Sequence, residues 1–154
     1  MKIIDILDKK AIVALLDPMP KEEIIKYMIE LASITGEILD KEKAYQDVME
    51  REKVLSTGIG KGFALPHAKS QYAKGFTASF VTLSKPIDYE SLDMEPVRLI
   101  FFLIGPENQI AMNLKFLSKI SKIVNNDDNQ KQLLSMKTNE EIWNLLAQLE
   151  EGSD

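Results

Sequence analysis

Cysteine is absent and histidine nearly so: the 154-residue chain has no Cys and one His, His67. The first absence excludes disulfides, thiolate metal sites and thiol catalysis. It suits a reducing compartment and sets the expectation of a cytoplasmic protein. The second leaves any chemistry that needs a side chain titrating near neutrality to His67 alone. A metal would find no second imidazole and no thiolate, so no metal is expected. Positive charge is in deficit, with 19 Lys and Arg against 24 Asp and Glu and a net charge of -5. That argues against broad nucleic-acid binding, although a small local basic patch is compatible with it. Long apolar runs are missing too. The longest, Leu99 to Ile104, falls far short of the roughly 20 residues that span a bilayer. Met1-Lys2-Ile3-Ile4-Asp5 meets charge too early for a signal peptide, so no membrane insertion is expected. Repeats, low-complexity stretches and Gly/Ser-rich linkers do not occur, and residues 1–154 read as a single domain.

What is present is the composition of a globular protein, 45% hydrophobic and 28% charged. Ala11 to Leu16 reads as a strand that stops at Asp17-Pro18-Met19-Pro20. Pro20 suits the first turn of a helix and Glu22 and Glu23 its dipole. Ile24, Met28 and Leu31 recur at helical spacing, and Gly36 reads as the stop. A second helix, rich in Lys and Glu, is predicted from about Asp40 to Leu55. Phe63-Ala64-Leu65 and Phe76 to Leu83 read as strands. Val97 to Leu103, nearly all apolar, reads as an interior strand covered on both faces. Helical spacing returns at Ile110, Leu114, Leu117 and Ser121, with Phe116, Ile120 and Ile123 alongside. Thr138 and Glu141 form a capping box for a last helix whose buried stripe is Ile142, Leu145, Leu146 and Leu149. Strands mixed with helices predict an α/β or α+β fold, a sheet covered by helices.

His67 lies in the segment Ser56-Thr57-Gly58-Ile59-Gly60-Lys61-Gly62-Phe63-Ala64-Leu65-Pro66-His67-Ala68-Lys69. This is not a Walker A loop, because Gly60-Lys61 is followed by Gly62. Nor is it a dinucleotide-binding fingerprint, since it follows a helix and leads into a strand. Two readings remain open. The glycines supply positive φ in a plain turn, or the loop N–H groups, those of Gly58 and Gly60 among them, line an anion pocket beside the histidine. No Gly-x-Ser-x-Gly elbow accompanies the serines. A single imidazole is left with nucleophilic or acid–base work on a substrate brought by another molecule. Arg51, at the end of the second helix, is either a solvated charge or a planar fork for an anion held at His67. Lys61 and Lys69 are ordinary surface residues or additional positive potential. Ser56 and Thr57 either shape the loop or donate hydroxyls to a phosphoryl oxygen.

Thr57-Gly58-Ile59-Gly60 followed by Gly62-Phe63-Ala64-Leu65-Pro66-His67-Ala68 resembles the active-site signature of enzyme IIA domains of the phosphoenolpyruvate-dependent sugar phosphotransferase system. The class is the fructose/mannitol type, which includes nitrogen-regulatory enzyme IIA. Ser84-Lys85-Pro86-Ile87-Asp88-Tyr89, Glu95-Pro96-Val97 through Ile104-Gly105-Pro106-Glu107, and Asn113-Leu114-Lys115-Phe116-Leu117 also look like family segments, so the resemblance covers nearly the whole chain. It implies a mixed β-sheet flanked by helices on both faces. It implies that His67 is phosphorylated, at Nε2, by phosphohistidine on the carrier HPr or a homologue, and that the group passes to the IIB domain of a sugar permease. The alternative it implies is a regulator whose phosphorylation state sets its affinity for a target protein. Arg51 falls where the family carries a phosphate-contacting arginine. The donor brings an activated P–N bond, so no cofactor is implied. One position departs: many relatives carry a second histidine where this chain has Asn113, which keeps a hydrogen-bond donor but no positive charge. Ile59, Phe63 and Met112 are either a docking patch for HPr or core, and for Phe63 core is the expectation.

Overall fold

Asp8 decides where the first strand begins. Its carboxylate accepts from the Lys10 amide at 2.8 Å and caps a 3-10 turn over Lys9–Ala11. In the computed structural model, which describes residues 1–153, β1 therefore runs over Ile12–Leu16 and leaves Ala11 outside. A four-residue helix, α1 (Ile3–Ile6), precedes it without any counterpart in the sequence pattern. Pro20 caps α2 (Lys21–Ala32) from just outside, and α2 buries Ile24, Ile25, Met28 and Ile29. A 3-10 turn, Ser33–Thr35, separates α2 from Gly36, which closes it at a φ of 78°. Such a left-handed residue costs a glycine little.

Asp40 accepts from the Lys43 amide at 3.0 Å and starts α3 (Lys41–Val54). Its buried stripe is Ala44, Val48 and Glu52, spaced by four and ending on a carboxylate. The histidine segment then contributes β2 (Gly58–Gly60), β3 (Phe63–Ala64) and β4 (His67–Lys69). β5 (Thr77–Ile87) outruns its apolar core, with Ser84–Pro86 exposed, and β6 spans Val97–Gly105.

Three helices complete the chain: α4 (Ile110–Val124), α5 (Asp127–Ser135) and α6 (Asn139–Gly152). α5 carries only one buried apolar residue, Leu133, too few for periodicity to reveal it. Its start is set by Asn126, whose side chain accepts from the Asn129 amide. The Thr138 hydroxyl accepts from the Glu141 amide at 3.2 Å. The Glu141 carboxylate returns to the Lys137 amide and the Thr138 hydroxyl rather than to the Thr138 amide. On α4 the buried face is Asn113, Phe116, Ile120 and Ile123, while Ile110 and Leu114 stand 55% and 61% exposed.

The sheet is mixed, in the order β1-β5-β6-β3-β2, with β4 beside β6 as well. β1 and β5 are parallel, β5 and β6 antiparallel, β3 and β4 parallel to β6, and β2 antiparallel to β3. Helices cover both faces. Leu99, Phe101 and Leu103 of β6 pack with α1, α4, α5 and α6, and Ile100, Phe102 and Ile104 pack with α2 and α3. That alternation is why β6 has almost no polar residue.

The two ends of the chain meet at Glu150, which takes the place in the buried face of α6 that Leu149, half-buried, leaves. Its carboxylate is 1% exposed, accepts from the Ile3 amide at 2.9 and 2.7 Å, and lies 3.2 Å from Lys119 Nζ. Glu150→Ala leaves the first amide of α1 without its acceptor and takes one partner from Lys119. The expected loss is about 3 kcal/mol of unfolding free energy, read as a lower urea midpoint at unchanged slope.

Candidate functional site

His67 is placed by strand pairing. Phe63 lies opposite Leu99, Ala64 opposite Ile100, His67 opposite Leu103, Ala68 opposite Ile104 and Lys69 opposite Gly105. The offset is constant, so residues 63–69 follow β6 in one register. Leu65-Pro66 interrupts the strand without shifting it. Pro66 has no N–H to give, but its carbonyl accepts from the Leu103 amide at 3.1 Å. Alternation turns His67 to the same face as Leu65 and Leu103, the face covered by α4.

Leu65 also fixes the ring. His67 Nδ1 is 2.8 Å from the Leu65 carbonyl oxygen. A carbonyl only accepts, so Nδ1 carries the hydrogen, and the neutral ring presents the Nε2 lone pair. The ring is half-buried, and burial is the largest influence lowering its pKa below the ordinary value. The bond to Leu65 opposes that shift, Arg51 adds to it, Glu52 opposes it and Lys69 adds to it. At neutral pH the imidazole is therefore unprotonated at Nε2, as a nucleophile requires.

α3 lies against β4 and brings Arg51 and Glu52 to the site. Asp47, one turn before Arg51, accepts from the Ser70 hydroxyl at 2.6 Å and ties the helix to the residue that follows β4. Arg51 is half-buried, and its Nη1 donates to the Leu55 carbonyl at 2.8 Å, closing the end of its own helix. No hydrogen bond joins Arg51 to His67; what the ring feels is its charge.

The glycine segment is a hairpin rather than a free loop. Lys61 and Gly62, both left-handed at φ 55° and 76°, turn β2 into β3, the conformation of a two-residue hairpin turn. Gly60 is left-handed as well, at φ 104°. Gly58 is needed for closeness, because a Cβ there would stand 2.3 Å from the Ser91 hydroxyl. Ser56, half-buried, accepts from the Gly58 amide at 3.1 Å and keeps its own hydroxyl hydrogen free to donate. Thr57 differs from the sequence-based expectation. It is buried, and its hydroxyl reaches Glu52 at 2.7 Å, so that hydrogen is already given to a carboxylate.

Asn113, on the sheet-facing side of α4, is 4% exposed, and its Oδ1 is buried with no hydrogen-bond partner. Turning the amide over would set the Nδ2 donor in that place. Of the three apolar residues considered for docking, Phe63 is fully buried, Met112 half-buried against the core, and Ile59 41% exposed. Lys61 is exposed, 3.8 Å from Asp127, and Lys69 is exposed at the end of β4.

Sequence reasoning passed over the residues that hold this arrangement from beneath. Glu52 is 6% exposed and accepts from the Thr57 amide at 3.0 Å. Lys21 Nζ lies 3.1 Å from it, and the Tyr89 hydroxyl meets Thr57 Oγ1 at 3.1 Å. Burial first, and then the Glu52 charge, hold the Tyr89 phenol well above its usual range, so it remains a donor. The spacing Ala44, Val48, Glu52 would have revealed the inward-facing carboxylate.

Comparison with known proteins gives the family. The family described as "Phosphoenolpyruvate-dependent sugar phosphotransferase system, EIIA 2" matches residues 5–149. A nitrogen regulatory protein of Bradyrhizobium diazoefficiens is 31% identical over 148 residues, which are 96% of this chain and 95% of that protein. A fructose-specific EIIABC component of the phosphotransferase system from Bacillus subtilis is also 31% identical over 148 residues, but this chain spans only 23% of its length. Among solved structures, nitrogen regulatory protein IIA-Ntr of Neisseria meningitidis superimposes with a TM-score of 0.87 at 28% identity, over 94% of this chain and 98% of that one. The IIA mannitol protein of Escherichia coli, at 18% identity and a TM-score of 0.76, shares the fold over 90% of this chain and 97% of its own. The chain belongs to the EIIA 2 family of the phosphoenolpyruvate-dependent sugar phosphotransferase system.

Proposed function

We propose that this chain is a phosphohistidine carrier that accepts a phosphoryl group at Nε2 of His67 from phosphohistidine on HPr or a homologous carrier. The observation that carries the reading is the Nδ1–H bond to Leu65, which leaves a half-buried, neutral imidazole with the Nε2 lone pair unused. In the transfer the donor's N–P bond breaks and its electron pair returns to the donor nitrogen while the Nε2–P bond forms. The positive charge gained by the His67 ring is shared with the Leu65 carbonyl through Nδ1–H. The phosphorus arrives already activated, so alignment and charge neutralisation are the protein's whole contribution. Arg51 swings from its helix end to the phosphoryl oxygens. Ser56 and the Gly58 and Gly60 segment border them, and Asn113 supplies an amide donor. Exposed Ile59 of β2 and Ile110 and Leu114 of α4 offer apolar area for the donor protein.

Two fates for the group remain. A permease IIB domain is the acceptor in the sugar pathway, in keeping with the solved complex of Escherichia coli enzyme IIAMTL with phosphorylated enzyme IIBMTL. The second fate is a regulatory role, in which the phosphorylated and free forms differ in affinity for a target protein, in keeping with the 31% identity to the Bradyrhizobium nitrogen regulatory protein.

Intact mass after incubation with phosphoenolpyruvate, enzyme I and HPr should show one acid-labile phosphoryl group on the wild type and none on folded His67→Ala. Labelling of the alanine variant would remove His67 as the acceptor. Arg51→Ala should slow acceptance about 100-fold while costing roughly 1 kcal/mol or less of stability; unchanged kinetics would take Arg51 out of the site. The pH profile follows from the lowered pKa. The neutral nucleophile persists below the ordinary histidine value, so the fall in single-turnover acceptance with acid should have its midpoint below about 6.5. A decline with its midpoint above that value would contradict the geometry at His67.

A further inference from the structure

Glu52 sits where a carboxylate is least welcome. It is in the last turn of α3, where the helix dipole disfavours negative charge, and it is 6% exposed. Three contacts hold it there, the Thr57 amide at 3.0 Å, the Thr57 hydroxyl at 2.7 Å and Lys21 Nζ at 3.1 Å, and the Tyr89 hydroxyl backs Thr57 from behind. Lys21 is itself only 12% exposed and lies 4.7 Å from the centre of the Tyr89 ring. A structural stripe would be served as well by an apolar residue at position 52, and a buried ion pair adds little net stability over one.

The bonds continue toward the imidazole. The Thr57 carbonyl accepts from the Leu65 amide at 2.9 Å, and the Leu65 carbonyl accepts from His67 Nδ1 at 2.8 Å. Glu52 is thus connected to the ring through two residues, Thr57 and Leu65, each held at both its amide and its carbonyl. We infer that Glu52 is a positioning residue for phosphoryl transfer: it clamps Thr57, Thr57 holds Leu65, and Leu65 keeps Nδ1 of His67 protonated with Nε2 free. This deepens the carrier reading and rests on it for the transfer step; the clamp itself does not. Its charge acts in the opposite sense, favouring the protonated ring against Arg51 on α3 and Lys69 on β4, so the bonds through Thr57 and Leu65, and not the charge, favour a free Nε2.

The single imidazole makes the test clean, because every histidine signal in a nitrogen NMR spectrum belongs to His67. Glu52→Gln keeps the shape and removes the charge. Its ring should titrate at lower pH than in the wild type, and the neutral form should gain the Nε2–H tautomer. Acceptance from phosphorylated HPr should fall by about 10- to 100-fold. Loss of packing that left the Leu65 carbonyl in place would not bring in the second tautomer in a folded variant. Glu52→Asp, which keeps the charge and withdraws it by one methylene, carries the test if Glu52→Gln does not fold. It should show the same gain of the second tautomer and a slowed transfer. Folded variants with the wild-type ring spectrum and rate would overturn the inference. If the wild type accepts no phosphoryl group while Glu52→Gln still changes the ring, the carrier reading fails and the clamp on His67 stands.

Discussion

The strip from Phe63 to Lys69 has to lie along β6 in a single register, and most of the site depends on that pairing. A slip by one residue would exchange the two faces of the strip. His67 would turn away from α4, and Phe63, fully buried against Leu99 and Phe101, would lose its place in the core. The register is therefore held by burial along the whole strip rather than by the histidine. Pro66 is tolerated because its carbonyl still serves the ladder where its missing amide does not. The break at Leu65-Pro66 has a use as well: a Leu65 carbonyl engaged in a regular ladder would be less free to take the imidazole hydrogen.

Charges near the ring are set against one another. Arg51 and Lys69 favour the unprotonated form and Glu52 the protonated one, so desolvation decides the balance. On the proposed carrier role, that would suit a ring alternating between a neutral form and a phosphorylated one bearing negative charge. The Arg51 guanidinium rests on the Leu55 carbonyl, a contact it can leave at the cost of one exposed hydrogen bond. Glu52, its neighbour in sequence, is held by the Thr57 amide, the Thr57 hydroxyl and Lys21. One helix end thus supplies both a lightly held cation and a firmly held anion.

Much of this was legible in the sequence. The all-apolar run of Val97 to Leu103 announced a strand covered on both sides, and helical spacing marked α2 and α4, because burial imposes those periods on side chains directly. The Gly-Phe-Ala-Leu-Pro-His core pointed to the family and to His67. What stayed hidden depends on partners distant in sequence. β2 and β4 are three residues each and exist only because β3 and β6 pair with them. α5 is held by a cap and one leucine. Thr57 looked like a phosphate donor because nothing local shows that Glu52 takes its hydrogen. Ile110 and Leu114 fit a helical stripe, yet the sheet lies on the side of Asn113 and Phe116.

The clasp at Glu150 has a consequence for architecture at a larger scale. A bond from Ile3 to the last turn of α6 brings the two ends of the fold to one spot. A unit closed in this way can be spliced into a longer polypeptide with both connections leaving from the same place, and the host chain loses little entropy in spanning it. The same modular logic is visible where the fold occupies 23% of a Bacillus polypeptide and 95% of a Bradyrhizobium one.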